Sequence, residues 1–174
     1  MSSSVLKSAA LFLLLTLAQI VLFNNIELWG YLTPYAYLLF IFLLPARISR
    51  TLLVFLGFAQ GLIVDLYTST LGLHTAATTL VAFLRPHFLL LFAEQRNGKE
   101  EWTPSIAQLG VESTLKYNGT LIAIHHLVLY FLSAFSFAHF GASLLKALLN
   151  ALFTLATVLL LQYLFSGHHQ GHNR

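Results

Sequence analysis

The chain has 174 residues, of which 57% are hydrophobic and only 9% charged, with a mean hydropathy of +0.78. A soluble domain carries about 25% charged residues, so this composition lacks the polar surface of a water-facing globule, and a chain this short cannot hide five or six all-round apolar helices in a core of its own. Cysteine is absent, which excludes disulfides, thiolate metal sites and cysteine nucleophiles. The formal net charge of +3 comes from basic residues placed between apolar runs, which is the pattern of topology determinants and not of nucleic-acid binding.

About 20 apolar residues cross a hydrocarbon core of about 30 Å. Residues 5–23 form the first predicted span. Lys7 precedes it, but Phe23, Asn24 and Asn25 lack a small-residue cleavage pattern, so the run reads as a span and not as a signal core. Residues 31–44 are shorter, bracketed by Pro34 and Pro45, and predict a tilted or partial span. Residues 51–67 and 71–92 follow, then 119–137 and 142–165. The expectation is an all-α polytopic membrane domain over 1–165 with about six transmembrane helices, a loop at 93–118 and a polar tail at 166–174. Within the loop, 104–117 reads as a short interfacial helix. With the N-terminus inside, Lys7, Arg47, Arg50, Arg96, Lys99, Lys116 and Arg174 fall on the cytoplasmic side, seven of the nine basic residues. Both termini are then cytoplasmic. Lys146 is the exception to this distribution.

Ionisable groups inside the membrane are functional candidates because burying them is costly. Asp65 is the foremost. Gly57, Gly61 and Asp65 recur every four residues and so share one helix face, and glycines at that spacing admit a close neighbouring backbone. The residues around Thr75 to Thr79 are the expected neighbour. The plainer reading is an interfacial aspartate hydrogen-bonded to the next turn; the sharper one is a contact with a partner. His74 follows across a tight connection that includes Gly72, and a carboxylate–imidazole pair with Asp65 is expected there, structural before catalytic, since no nucleophile accompanies it. Arg85 precedes Pro86; snorkelling to the inner headgroups is the favoured reading, with a freed carbonyl, a lipid phosphate or Glu94 as other partners. His125 and His126 are adjacent in a helix and diverge by about 100°, and His168, His169 and His172 lie in the tail, so no metal site is assigned. Glu27, Trp29, Tyr31, Tyr35 and Tyr37 read as an outer loop with an aromatic belt. No catalytic residue and no cofactor site is expected.

The run from Asn24 through Trp29 and Pro34 to Tyr35, then Leu43, Leu44 and Pro45, then the G-x-x-x-G-L-x-x-D segment from Gly57 to Asp65, then Gly72 and His74, and finally Arg85 with Pro86, resembles the rod shape-determining protein MreD family, particularly its Bacteroidetes-type members. The resemblance implies a small polytopic protein of the bacterial inner membrane, associated with the bitopic protein MreC. It implies a link between the actin-like MreB and the peptidoglycan synthases outside, a RodA-type glycosyltransferase and its class B penicillin-binding protein. It also implies a fold similar to the six-helix S-components of energy-coupling-factor transporters. Its pattern lands on Gly57, Gly61, Asp65, Gly72, Arg85 and Pro86 and supplies no catalytic residue. The alternative function is a substrate-capture subunit for a vitamin, with Asp65, His74 and Asn24 lining the site; an intramembrane hydrolase ranks below both.

Overall fold

A computed structural model describes residues 3–26, 32–70, 72–93, 102–134 and 140–167. They fold as α1 (Ser3–Val21), α2 (Leu38–Leu43), α3 (Arg50–Thr68), α4 (Leu73–Phe92), α5 (Ile106–Leu109), α6 (Val111–Ala134) and α7 (Phe140–Gly167), with a 3-10 turn at Phe23–Asn25 and no strand among the described residues. Four stretches are long and apolar enough to cross a membrane: Val5–Asn25, Arg50–Thr68, Leu73–Phe92 and Phe140–Phe165. At most 39% of any of these windows is buried, so their apolar residues face outward, where water would penalise them and lipid does not. Leu13, Leu14, Phe55, Leu66, Phe83, Leu90, Leu152 and Leu160 all lie on that exposed surface. The interior combines an apolar core with many polar side chains, Gln19, Gln60, Asp65, Arg85, Asn118, His125, Asn150 and Gln162 among them. This is an all-helical chain of membrane character.

The packing order around the bundle is α1, α3, α4, α6, α7. The α6 helix starts eight residues earlier than the predicted span at 119. It has no exposed residue from Gly119 to Phe131, which fits its polar content of Asn118, His125 and His126. The predicted interfacial helix at 104–117 is not formed as such. Only the single turn α5 is made, Gly110 breaks the chain at φ +78°, and Val111 opens α6.

The largest departure concerns residues 31–44; Tyr31 lies outside the described residues. Only Leu38–Leu43 are helical, about 9 Å of rise, far short of a membrane-crossing helix. Ala36 to Phe42 and Leu44 are all buried at 2% exposure or less. The segment threads through the middle of the bundle. At its start the Thr33 N–H donates to Asn150 Oδ1; at its end the Ala46 N–H donates to the Trp102 carbonyl, beside α5, whose Ile106 N–H donates to Gln162 Oε1. Asn150 and Gln162 are twelve residues apart on α7, a descent of about 18 Å. Pro34 and Pro45 explain the broken helix, since each removes a backbone donor and disfavours helical conformation in the residue before it.

Candidate functional site

Non-helical backbone at membrane depth is tolerated only where protein satisfies its polar groups, and the polar residues of the surrounding helices do this. From α1, the Gln19 side chain donates to the Pro34 carbonyl and accepts from the Tyr37 N–H at 3.1 and 3.2 Å. From α3, Gln60 Nε2 donates to the Tyr37 carbonyl at 3.1 Å. From α7, Thr154 Oγ1 accepts from the Tyr35 N–H at 3.0 Å. From α4, the Arg85 guanidinium donates to the carbonyls of Phe42 at the end of α2 and of Leu44 and Pro45 just beyond it, where the helix has run out of following N–H groups; the Pro45 carbonyl also accepts from the Ile48 N–H. Its Nε donates to Tyr117 Oη at 3.0 Å. Arg85 is fully buried. The expectation that it snorkels to the headgroups is overturned: a fork of five donors finds four acceptors inside the bundle, and these hold it there. Glu94, one of its alternative expected partners, lies outside the described residues.

The glycine face sits against α4. A Cβ at Gly57 would lie 2.6 Å from Ala82 Cβ, and one at Gly61 would lie 2.6 Å from Thr75 Cα and 2.7 Å from the His74 carbonyl oxygen. The two backbones touch because neither glycine carries a side chain. One turn on, Asp65 caps α4. Its Oδ1 accepts from the Thr70 hydroxyl at 2.6 Å and the His74 N–H at 3.0 Å, and its Oδ2 accepts from the Thr75 N–H at 2.7 Å and the Thr75 hydroxyl at 2.5 Å. Four donors and no acceptor suit the ionised carboxylate, placed where a helix N-terminus favours negative charge. Gly72 supplies the turn at φ +85°, a conformation open to glycine at little cost. Pro86 lies within α4, which continues through it to Phe92.

The expected Asp65–His74 carboxylate–imidazole pair is not made. Asp65 takes the main-chain N–H of His74, and the imidazole turns inward, with Nδ1 3.1 Å from Tyr37 Oη. Tyr37 Oη also lies 2.8 Å from His125 Nε2 and 3.1 Å from Thr78 Oγ1. Beside it the Tyr35 ring stacks on His126 at 5.2 Å and meets His74 and His125 edge-on at 5.0 and 5.8 Å. His126 Nδ1 donates to the Ile122 carbonyl, so its Nε2 accepts from the Thr154 hydroxyl. Three histidines, two tyrosines and two threonines from the threaded segment, α4, α6 and α7 thus form one buried polar cluster near the Asp65 end. Among the described residues no group of three or more His, Cys, Asp or Glu is placed to hold a metal. Asn24, a candidate lining residue in the substrate-capture alternative, accepts from Gln19 Nε2 at 2.7 Å.

Tyr37, Thr78, His125, Gln19, Gln60 and Thr154 escaped the sequence reading as a cluster. Their one signal was polar character inside apolar runs. Glu27, Trp29, Leu71, and the tail histidines 168, 169 and 172 lie outside the described residues. The fold and site define a polytopic helical membrane protein whose interior polar groups hold a threaded segment. No family model, curated protein or solved structure matches the chain.

Proposed function

We propose that the chain is a non-catalytic scaffold of the bacterial inner membrane, of the MreD type, serving the cell-elongation complex. The observation that carries the reading is the use of the interior polar groups. Gln19, Gln60, Arg85 and Thr154 hold the threaded segment, and Asp65 caps α4. Groups so engaged serve architecture, and the surface left for association is apolar membrane face and two short-looped ends. In this reading α1, the threaded segment, α3, α4, α6 and α7 make six crossings, as in the S-component fold. Both termini are cytoplasmic, and Asp65 lies toward the outer face. The partners are MreC, MreB, the RodA-type glycosyltransferase and the class B penicillin-binding protein, together with membrane lipid.

Affinity purification of the tagged chain from its native membrane in mild detergent tests this, with co-purifying proteins and small molecules identified together. Recovery of MreC and the synthase pair is expected. Recovery of transporter ATPases with a stoichiometric vitamin would overturn the scaffold in favour of a substrate-capture subunit. One feature favours that second reading: the aromatic–histidine cluster at the Asp65 end has the planar rings and polar tips of a small-molecule site. Tyr35 fills its centre, so a ligand would have to displace that ring.

A further inference from the structure

Most buried polar atoms in folded proteins have hydrogen-bond partners. Here the exceptions include Thr114 Oγ1, both amide atoms of Asn118, and His125 Nδ1. All three residues are fully buried on α6. At 100° per residue they fall within about 40° of one another, on one face and over about 16 Å of helix. Their upper end is His125, whose other nitrogen touches Tyr37, and Tyr37 touches His74. Of the three clustered histidines, only His74 retains accessible surface, at 4%.

We propose that His74, Tyr37 and His125 form a proton relay entered from the Asp65 end, and that Asn118 and Thr114 continue its path down α6 toward the other end. The hydrogen-bond inventory sets the order. The Tyr37 hydroxyl has one proton and three neighbours, His74 Nδ1, His125 Nε2 and the Thr78 hydroxyl, and in the conducting arrangement it accepts from His74 and donates to His125. A proton arriving on His74 Nε2 lets the Nδ1 proton pass to Tyr37 Oη as the Tyr37 proton passes to His125 Nε2. His125 then carries both protons and releases the one on Nδ1, the nitrogen with no partner, toward the Asn118 carbonyl oxygen through entering water. Only N–H and O–H bonds form and break, each group ends neutral, and both imidazoles end in the Nε2-protonated tautomer, from which they must return before a second proton passes. His126 stands outside the relay because both its nitrogens are engaged, by Ile122 and Thr154.

Other titratable and charged groups border the path. The Asp65 carboxylate from α3 holds the His74 main chain, Tyr35 comes from the threaded segment, His126 and Tyr130 come from α6, and the Arg85 guanidinium from α4 donates to Tyr117, the neighbour of Asn118. Between Asn118 and His125 lie Leu121 and Ile122, both fully buried. They form a dry layer that must admit water before the proton moves on, and it sets the rate.

The test is proton flux into liposomes holding the purified full-length chain and a trapped pH-sensitive dye, with an imposed pH gradient and a clamped membrane potential. Wild type is expected to conduct above protein-free vesicles. Tyr37→Phe, which deletes one oxygen, should lower the flux at least about tenfold, equivalent to about 1.4 kcal/mol in barrier. Ile122→Ala, which thins the dry layer and leaves every relay group in place, should raise it several-fold. Wild-type and Ile122→Ala vesicles as tight as protein-free ones would overturn the relay. So would a Tyr37→Phe protein that conducts like wild type. The Ile122→Ala arm decides on its own if Tyr37→Phe does not fold.

Discussion

Replacing Gly61 by alanine adds one carbon where the nearest neighbours are backbone atoms, Thr75 Cα at 2.6 Å and the His74 carbonyl oxygen at 2.7 Å. Ordinary van der Waals separation requires α4 to withdraw by about 0.8 Å. No side chain can rotate away to relieve this. The same withdrawal stretches the Asp65 bonds to the main-chain N–H groups of His74 and Thr75 from 3.0 and 2.7 Å toward the edge of hydrogen-bond range. Overpacking costs about 1–3 kcal/mol, and hydrogen bonds to a charged group are worth about 1.5–3 kcal/mol each. Against these, alanine gains about 1 kcal/mol of helix propensity over glycine. The steric and capping losses win, for a net destabilisation of about 2–4 kcal/mol. Equilibrium unfolding of the purified protein in mixed micelles, followed by circular dichroism, measures it. A Gly61→Ala protein within about 0.5 kcal/mol of wild type would refute the claim that this seam is closed by backbone contact.

Gly57→Ala should destabilise less, because its nearest neighbour is the Ala82 methyl and the nearest backbone atom, the Thr78 carbonyl oxygen, lies at 3.1 Å, and a double-mutant cycle with Ala82→Gly should show favourable coupling between the two positions. Arg85→Lys should cost about 3 kcal/mol or more, close to Arg85→Leu, because a single ammonium cannot reach three carbonyls and Tyr117 together; unfolding free energies of the pair check this. Gln60→Leu should cost about 1 kcal/mol, because the Tyr37 carbonyl loses one of its two donors and keeps the Phe40 N–H, with faster amide exchange expected around residues 36–44. Thr154→Val, nearly the same shape, should cost about 1–3 kcal/mol by stranding the Tyr35 N–H and His126 Nε2.

The α3–α4 seam was legible in the sequence because its signal is local. Gly57, Gly61 and Asp65 declare one face by their spacing, and the tight connection through Gly72 fixes what that face meets. The threaded segment was not. Composition gives the same apolar run whether it faces lipid or neighbouring side chains, and the groups that mark the difference are far away, Asn150 and Thr154 being 117 and 119 residues from the backbone they satisfy. Arg85 was misplaced for the same reason. A cation near a helix end reads as snorkelling unless the carbonyls of Phe42 and Leu44 are known to lie beside it. The Tyr37 cluster joins residues 37, 74, 78 and 125, and no periodicity within one helix can announce such a meeting.

The dependence of Thr33 and Tyr35 on the last helix has a consequence for how the protein is made. Translation adds about 5–20 residues per second, so the segment emerges roughly ten seconds before Asn150 and Thr154 exist. During that interval its N–H groups cannot rest in hydrocarbon unpaired, and the half-made chain must keep that stretch at the wet edge of the membrane. Insertion of α7 is therefore the step that completes the segment's hydrogen bonds, and a nascent chain stopped before residue 150 leaves the Thr33 and Tyr35 N–H groups without the partners they use in the folded protein.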